Sequence, residues 1–249
     1  MPVGPTLEFV DHLFVLAFAA AYPTLGYFSF RRLLKDVAAG HSPERLRLYL
    51  QTIVGQWFLL AVAIAIWRVL DRDVGSLGFS TIGDLNLLIA AAVTIAAIAF
   101  LVAQGRAVRA ASAAELPDIV SAFGDMRHLL PKTRRELHRF YVVGVTAGIC
   151  EEIIWRGVLL WYLQQLMPMW AAVLLATLWF GVAHAYQGAG FIPRVTLVGA
   201  VLMMLYLLTG SLLLPILLHI AIDVLQGRLA YDVLSRHALV DPSVTERSD

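Results

Sequence analysis

The chain holds seven runs of mostly apolar residues, each close to the length that crosses a bilayer. This repetition limits the fold more than any single motif does. They fall at about 8–29, 47–69, 86–104, 140–163, 169–187, 192–209 and 212–229. A membrane-spanning helix needs roughly 20 predominantly apolar residues. Of the 249 residues, 59% are hydrophobic and 15% charged, and the mean hydropathy is +0.75. Soluble domains sit nearer about 45–50% apolar and about 25% charged. The excess comes as separate runs, so it does not describe one large core. The expected fold is all-α: a polytopic integral membrane bundle of about seven transmembrane helices, eight being the alternative count. The first run reads as a retained helix, because Glu8 and Asp11 stand at its start and no Lys or Arg precedes it. A net charge of +1 without a basic, aromatic-interleaved stripe argues against nucleic acid as a partner. The expected partner is the bilayer.

Orientation follows from the basic residues, which favour the cytoplasmic side of short connections. Arg31, Arg32, Lys35, Arg45 and Arg47 flank the first connection. Arg106, Arg109, Arg127, Lys132, Arg134, Arg135 and Arg139 flank the third. Arg194 lies in the fifth, and Arg228, Arg236 and Arg247 lie toward the C-terminus. These are 16 of the 19 Lys and Arg. The second connection holds Asp71, Arg72, Asp73 and Asp84 and is net acidic. With seven spans, the N-terminus is expected outside and the C-terminus in the cytoplasm, in a plasma membrane of bacterial inner-membrane type. The expected organisation is three helices over 1–104, a cytoplasmic amphipathic linker over 105–139, a helical core over 140–230 and a polar tail over 231–249. Between Pro117 and Pro131, apolar residues recur at helical spacing and predict a short interfacial helix; an ordinary linker is the alternative. Thr133 followed by Glu136 has the spacing of a capping box that starts the fourth span. Pro23 and Pro215 fall within spans, where neighbouring groups can satisfy the carbonyls a proline frees.

Three sets of polar residues interrupt the apolar runs. Charge at mid-bilayer costs from about 2.5 to above 10 kcal/mol, so such residues point to function. The first set is Glu151, Glu152 and Arg156. Glu152 and Arg156 are four apart and share a helix face. Glu151 lies about 100° round the helix from Glu152, free to enter a cavity. The second is Phe180 and His184, and the third is His219 and Asp223, each pair again four apart. Together they can activate water with Glu as general base, bind a divalent metal or relay protons in a transporter. A purely structural ion cluster that locks the helices together is the alternative. The HExxH and Gly-x-Ser-x-Gly signatures and both nucleotide fingerprints are absent. The single Cys150 in an apolar helix reads as a small core residue.

The succession EExxxR (Glu151, Glu152, Arg156), FxxxH (Phe180, His184) and HxxxD (His219, Asp223), with GICEEIIWRG around the first, resembles the CAAX protease and bacteriocin-processing family. This is the type II CAAX prenyl endopeptidase group, also called the ABI family. The resemblance covers roughly 130–230. It implies a helical intramembrane endopeptidase whose site opens toward the cytoplasm, with a peptide or lipidated protein as its substrate partner. It assigns Glu151 as general base, His184 as water ligand, and His219 and Asp223 to the oxyanion side, with Glu152, Arg156 and Phe180 shaping the site. Because an ionised Asp223 cannot donate to an oxyanion, its expected role is to orient His219; a protonated Asp223 that donates is the alternative. No cofactor is expected. Zinc held by Glu151, His184 and His219 is the metal-dependent alternative. The competing functional class is a non-catalytic membrane chaperone, regulator or transporter-like protein that keeps the cluster for packing or for ion and proton handling.

Overall fold

The computed structural model describes residues 6–79 and 84–240, and the seven expected runs emerge there as seven helical rods. The first consists of α1 (Phe9–Leu16), a π-helical turn (Ala17–Ala21) and α2 (Tyr22–Ala38). Next come α3 (Arg45–Val69) and α4 (Asp84–Ala110). After the short α5 (Leu116–Ser121), the fourth rod joins α6 (Arg134–Glu152), a π-helical turn (Ile153–Leu159) and α7 (Leu160–Gln164). The last three rods are α8 (Met169–Ala183), α9 (Ile192–Thr209) and α10 (Leu213–Val240). Six of the seven are long and apolar enough to cross a membrane. The fourth, over 134–164, has the length but carries Glu151, Glu152 and Arg156 in its middle. Among the described residues the only extended pairing is an isolated antiparallel bridge between Phe79 and Ser211. The chain is thus a polytopic helical membrane protein.

The fourth rod starts as its sequence indicates. Thr133 accepts from the backbone N–H of Glu136 at 3.1 Å, and the Glu136 carboxylate accepts from the backbone N–H of Thr133 at 3.0 Å. Past this cap, α6 lies against α10 along a strip of small residues. Gly144 and Gly148 are four apart and let the two backbones approach. A Cβ added at Gly148 would stand 2.5 Å from Ile220 Cγ1 and 3.0 Å from Ile220 N; one at Gly144 would stand 2.8 Å from Asp223 Cβ. The seam thereby sets where Asp223 and His219 sit relative to the glutamates.

Pro23 lacks the N–H that would bond Ala19 O, four residues back. Trp179 Nε1 on α8 donates to that carbonyl at 2.7 Å. The freed acceptor thus ties the first rod to α8 at the π-turn. At the opposite end, buried Asp11 receives both terminal nitrogens of Arg72, each at 2.7 Å. The Arg72 guanidinium stacks against Trp67 and Trp161, 5.1 and 4.6 Å from their ring centres.

Two expected boundaries differ. The helix expected between Pro117 and Pro131 is cut to the six residues of α5 by a 3₁₀ segment that begins at Gly124, φ +53. Leu116 packs with Leu229 and Val233 of α10, so this segment is docked on the bundle. The polar tail expected from residue 231 is helical through Val240, because Arg236 donates to Arg109 O and Ala111 O at 2.9 and 2.6 Å. The expected frayed segment 241–249 lies outside the described residues.

The close α6–α10 approach gives a direct test. Gly148→Ala should lower stability by about 1–3 kcal/mol, as overpacking does. The check is the thermal unfolding midpoint of detergent-purified protein.

Candidate active site

The π-turn begins directly after Glu152 and holds Arg156. Such turns recur at functional sites because they re-aim side chains without ending the helix. Arg156 Nη1 donates to Glu152 Oε1 at 2.8 Å, and Nη2 donates to Gly199 O on α9 at 3.1 Å. The guanidinium also lies 4.5 Å from the centre of the Phe180 ring. Glu152 is 0% exposed and Arg156 1%. Isolated, either charge would be prohibitive there; paired, they neutralise each other.

Glu152 Oε1 also meets His219 Nδ1 at 2.7 Å. That oxygen already accepts from Arg156, so Nδ1 is the donor and carries the proton. Nε2 of the same ring faces Asp223 Oδ2 at 3.8 Å, beyond hydrogen-bond range. The hydrogen bond that orients His219 therefore comes from Glu152. The expected orienting partner, Asp223, sits opposite the other nitrogen, because the α6–α10 seam brings Glu152 up to His219 from the neighbouring helix.

Glu151 is set apart from this sealed cluster, on the wall of a cavity of about 470 Å3. Phe18, Tyr22 and Phe30 of the first rod, Gln56 of α3 and His184 also line it. The side chains of Glu151 and His184 are 18% and 17% exposed, whereas Glu152 is closed off entirely. So Glu151 is the carboxylate that a molecule in the cavity can reach. Its Oε1 accepts from Gln56 Nε2 at 2.7 Å. Its Oε2 has no hydrogen-bond partner and lies 3.8 Å from His184 Nε2. His184 Nδ1 donates to Phe180 O at 2.7 Å, which leaves Nε2 as the acceptor of the neutral ring. Phe180 is the hub between these parts. Its ring lies 4.7 Å from His184, 5.3 Å from Trp155 and 6.3 Å from His219, centre to centre.

All seven residues singled out from sequence thus converge, in two compartments joined at Phe180. Among the described residues no three His, Cys, Asp or Glu side chains gather as metal ligands. His219 turns one nitrogen to Glu152 and the other toward Asp223. Cys150 is buried and free, as a core residue would be. Reading the ionisable residues alone passes over Gln56. The signal for it was a primary amide inside an apolar run, where an unpaired amide is costly.

The site is that of a membrane protein with a carboxylate and an imidazole facing each other across a cavity wall. Residues 133–225 match the model of the Type II CAAX prenyl endopeptidase Rce1-like family, and this segment carries all three motifs. This is the family that the three motifs resemble. No curated protein and no solved structure matches the chain.

Removing one half of the sealed pair should be costly. Arg156→Met should destabilise by about 3–5 kcal/mol by leaving Glu152 buried and unpaired. The double variant Glu152→Gln with Arg156→Met should recover part of that loss, read as unfolding midpoint and monodisperse yield.

Proposed function

We propose that this chain is an intramembrane endopeptidase acting on membrane-associated or lipidated peptides, with a water activated by Glu151 as the nucleophile. The observation that carries this reading is the pair Glu151 Oε2 and His184 Nε2, 3.8 Å apart beside the cavity, with Oε2 buried and without a hydrogen-bond partner. That gap is too long for a direct hydrogen bond. A water admitted between them at about 2.8 Å from each atom would bridge the two, with an angle of about 85° at its oxygen. Both of its protons then point at acceptors, and its lone pairs are left for a carbonyl carbon.

In the reaction, Glu151 removes one proton as the water oxygen bonds to the scissile carbonyl carbon. His184 keeps its Nε2 lone pair on the second proton, because Phe180 O holds the ring in that tautomer. The tetrahedral oxyanion needs a donor. His219 has committed Nδ1 to Glu152, so Nε2 donates only when the ring carries both protons. Glu152 and Asp223, one at each nitrogen, are the counter-charges that such a cation has. Collapse of the intermediate breaks the C–N bond, and Glu151 returns its proton to the leaving amine. Arg156 and Phe180 hold these groups in place. No step draws on a cofactor.

The orientation that goes with this reading places the Arg-rich end, with α5 and the end of α10, in the cytoplasm of a bacterial-type inner membrane. A reporter fused after residue 249 should then be active only in its cytoplasmic form.

The decisive experiment maps new peptide N-termini in host membranes, comparing wild type with Glu151→Gln at matched expression. Glu151→Gln should abolish a defined set of cuts, a loss of at least about 10²–10⁴-fold, with the protein still inserted and monodisperse. His219→Ala should cost on the order of 10²–10³-fold at the same sites. Identical N-termini in wild type and Glu151→Gln would overturn the peptidase reading and favour a non-catalytic membrane regulator, chaperone or transporter-like protein.

A further inference from the structure

Gln56 lies on α3, outside the segment that matches the family. It is 7% exposed, and its Nε2 donates to Glu151 Oε1 at 2.7 Å. We propose that Gln56 is a positioning residue for the peptidase: it occupies one oxygen of Glu151 and so directs the other at the water. This rests on the function proposed above.

The argument starts from what an amide can offer a carboxylate. Only the NH2 end of Gln56 suits an ionised Glu151; the carbonyl end would set two acceptors against each other. In the observed orientation Gln56 Oε1 is buried with no partner. Its carbonyl is left unmatched while its NH2 serves the carboxylate, which is the arrangement expected if Glu151 sets its orientation.

The rest of α3 makes that contact firm. Trp57 Nε1, next in sequence, donates to Thr146 Oγ1 on α6 at 3.2 Å. Nearer the basic end, Tyr49 donates to Leu129 O at 2.5 Å, and Arg45 lies 3.6 Å from Glu136. These contacts fix the register of α3 on α6, so Gln56 Nε2 is presented on a rigid frame. A carboxylate rotates freely about its last bond unless one oxygen is held. With Oε1 pinned, Oε2 is committed to the side facing His184 Nε2. Displacing a reacting group by about 1 Å can cost on the order of 10²-fold in rate, which is the scale of effect expected from losing this one bond.

The test uses full-length protein in lipid. Gln56→Met keeps the volume and removes both polar ends. Infrared difference spectra between wild type and Glu151→Gln assign the Glu151 carboxylate stretch, and that band should shift in Gln56→Met. In host membranes, cuts that depend on Glu151 should slow by about 10- to 100-fold. On a substrate so identified, kcat should fall with KM nearly unchanged, and the unfolding midpoint should hold. A packing residue would lower the midpoint and leave the band in place. If Gln56→Met does not fold, Gln56→Glu replaces it. Two carboxyl groups this close share a proton, so a protonated carboxyl band should appear and vanish when Glu151→Gln is added. An unmoved Glu151 band in Gln56→Met, or no shared-proton band in Gln56→Glu, overturns the proposal. So does a shifted band with cutting at the wild-type rate. Absence of Glu151-dependent cuts in the wild type overturns the peptidase reading and this role with it. That outcome is distinguished because the band shift would still be present.

Discussion

The buried contact among Glu152, Arg156 and His219 is the interaction on which the rest of the site depends. Charges do not remain in an apolar interior unless they answer one another. Here one oxygen of Glu152 takes both Arg156 Nη1 and His219 Nδ1, and Arg156 continues to Gly199 O on α9. Three rods are thereby locked around one acceptor. Because Glu152 is consumed in this way, its sequence neighbour is left as the reachable carboxylate. Two adjacent glutamates come to differ in burial and partners through a turn of about 100° and nothing else.

Glycine makes the lock possible. The close approach of α6 and α10 at Gly144 and Gly148 sets His219 within reach of Glu152. Along the other flank of α6, α3 supplies Gln56 and Trp57. The catalytic-side helix is thus held from both sides, by backbone proximity on one and by side-chain donors on the other. The first rod is attached at several points. Asp11 takes both terminal nitrogens of Arg72, Trp179 on α8 donates to Ala19 O, and the Phe30 ring makes an edge contact with Tyr186 in the turn after α8, 6.0 Å apart.

Much of this was legible in the sequence, and the division has a physical basis. The apolar runs gave the rods, since a bilayer fixes helix length. Local partners were also readable: Thr133 with Glu136 as a cap, Glu152 with Arg156 one turn apart, and Phe180 with His184 likewise. Contacts between distant helices were not. Gln56 and Glu151 are 95 residues apart, and Asp11 and Arg72 are 61. No helical period links either pair. The i,i+4 spacing of Asp223 to His219 was visible, but Glu152, the partner of Nδ1 from another helix, was not. The length of α10 was missed because polar residues past 230 read as solvated, whereas Arg236 is held by carbonyls at the end of α4. The Gly144–Gly148 spacing was present in the sequence as a packing signal.

The hydrogen bond from His184 to Phe180 O bears on the proton balance of turnover. With Nδ1 tied to a backbone carbonyl, the ring has no free second nitrogen through which to pass a proton onward. On the proposed reading, the proton that Glu151 takes from water must leave on the new amine. Each cycle then closes on itself: the proton arrives with one substrate and departs with one product. On that reading turnover passes no proton onward through His184, and it is not tied to the gradient across the surrounding membrane.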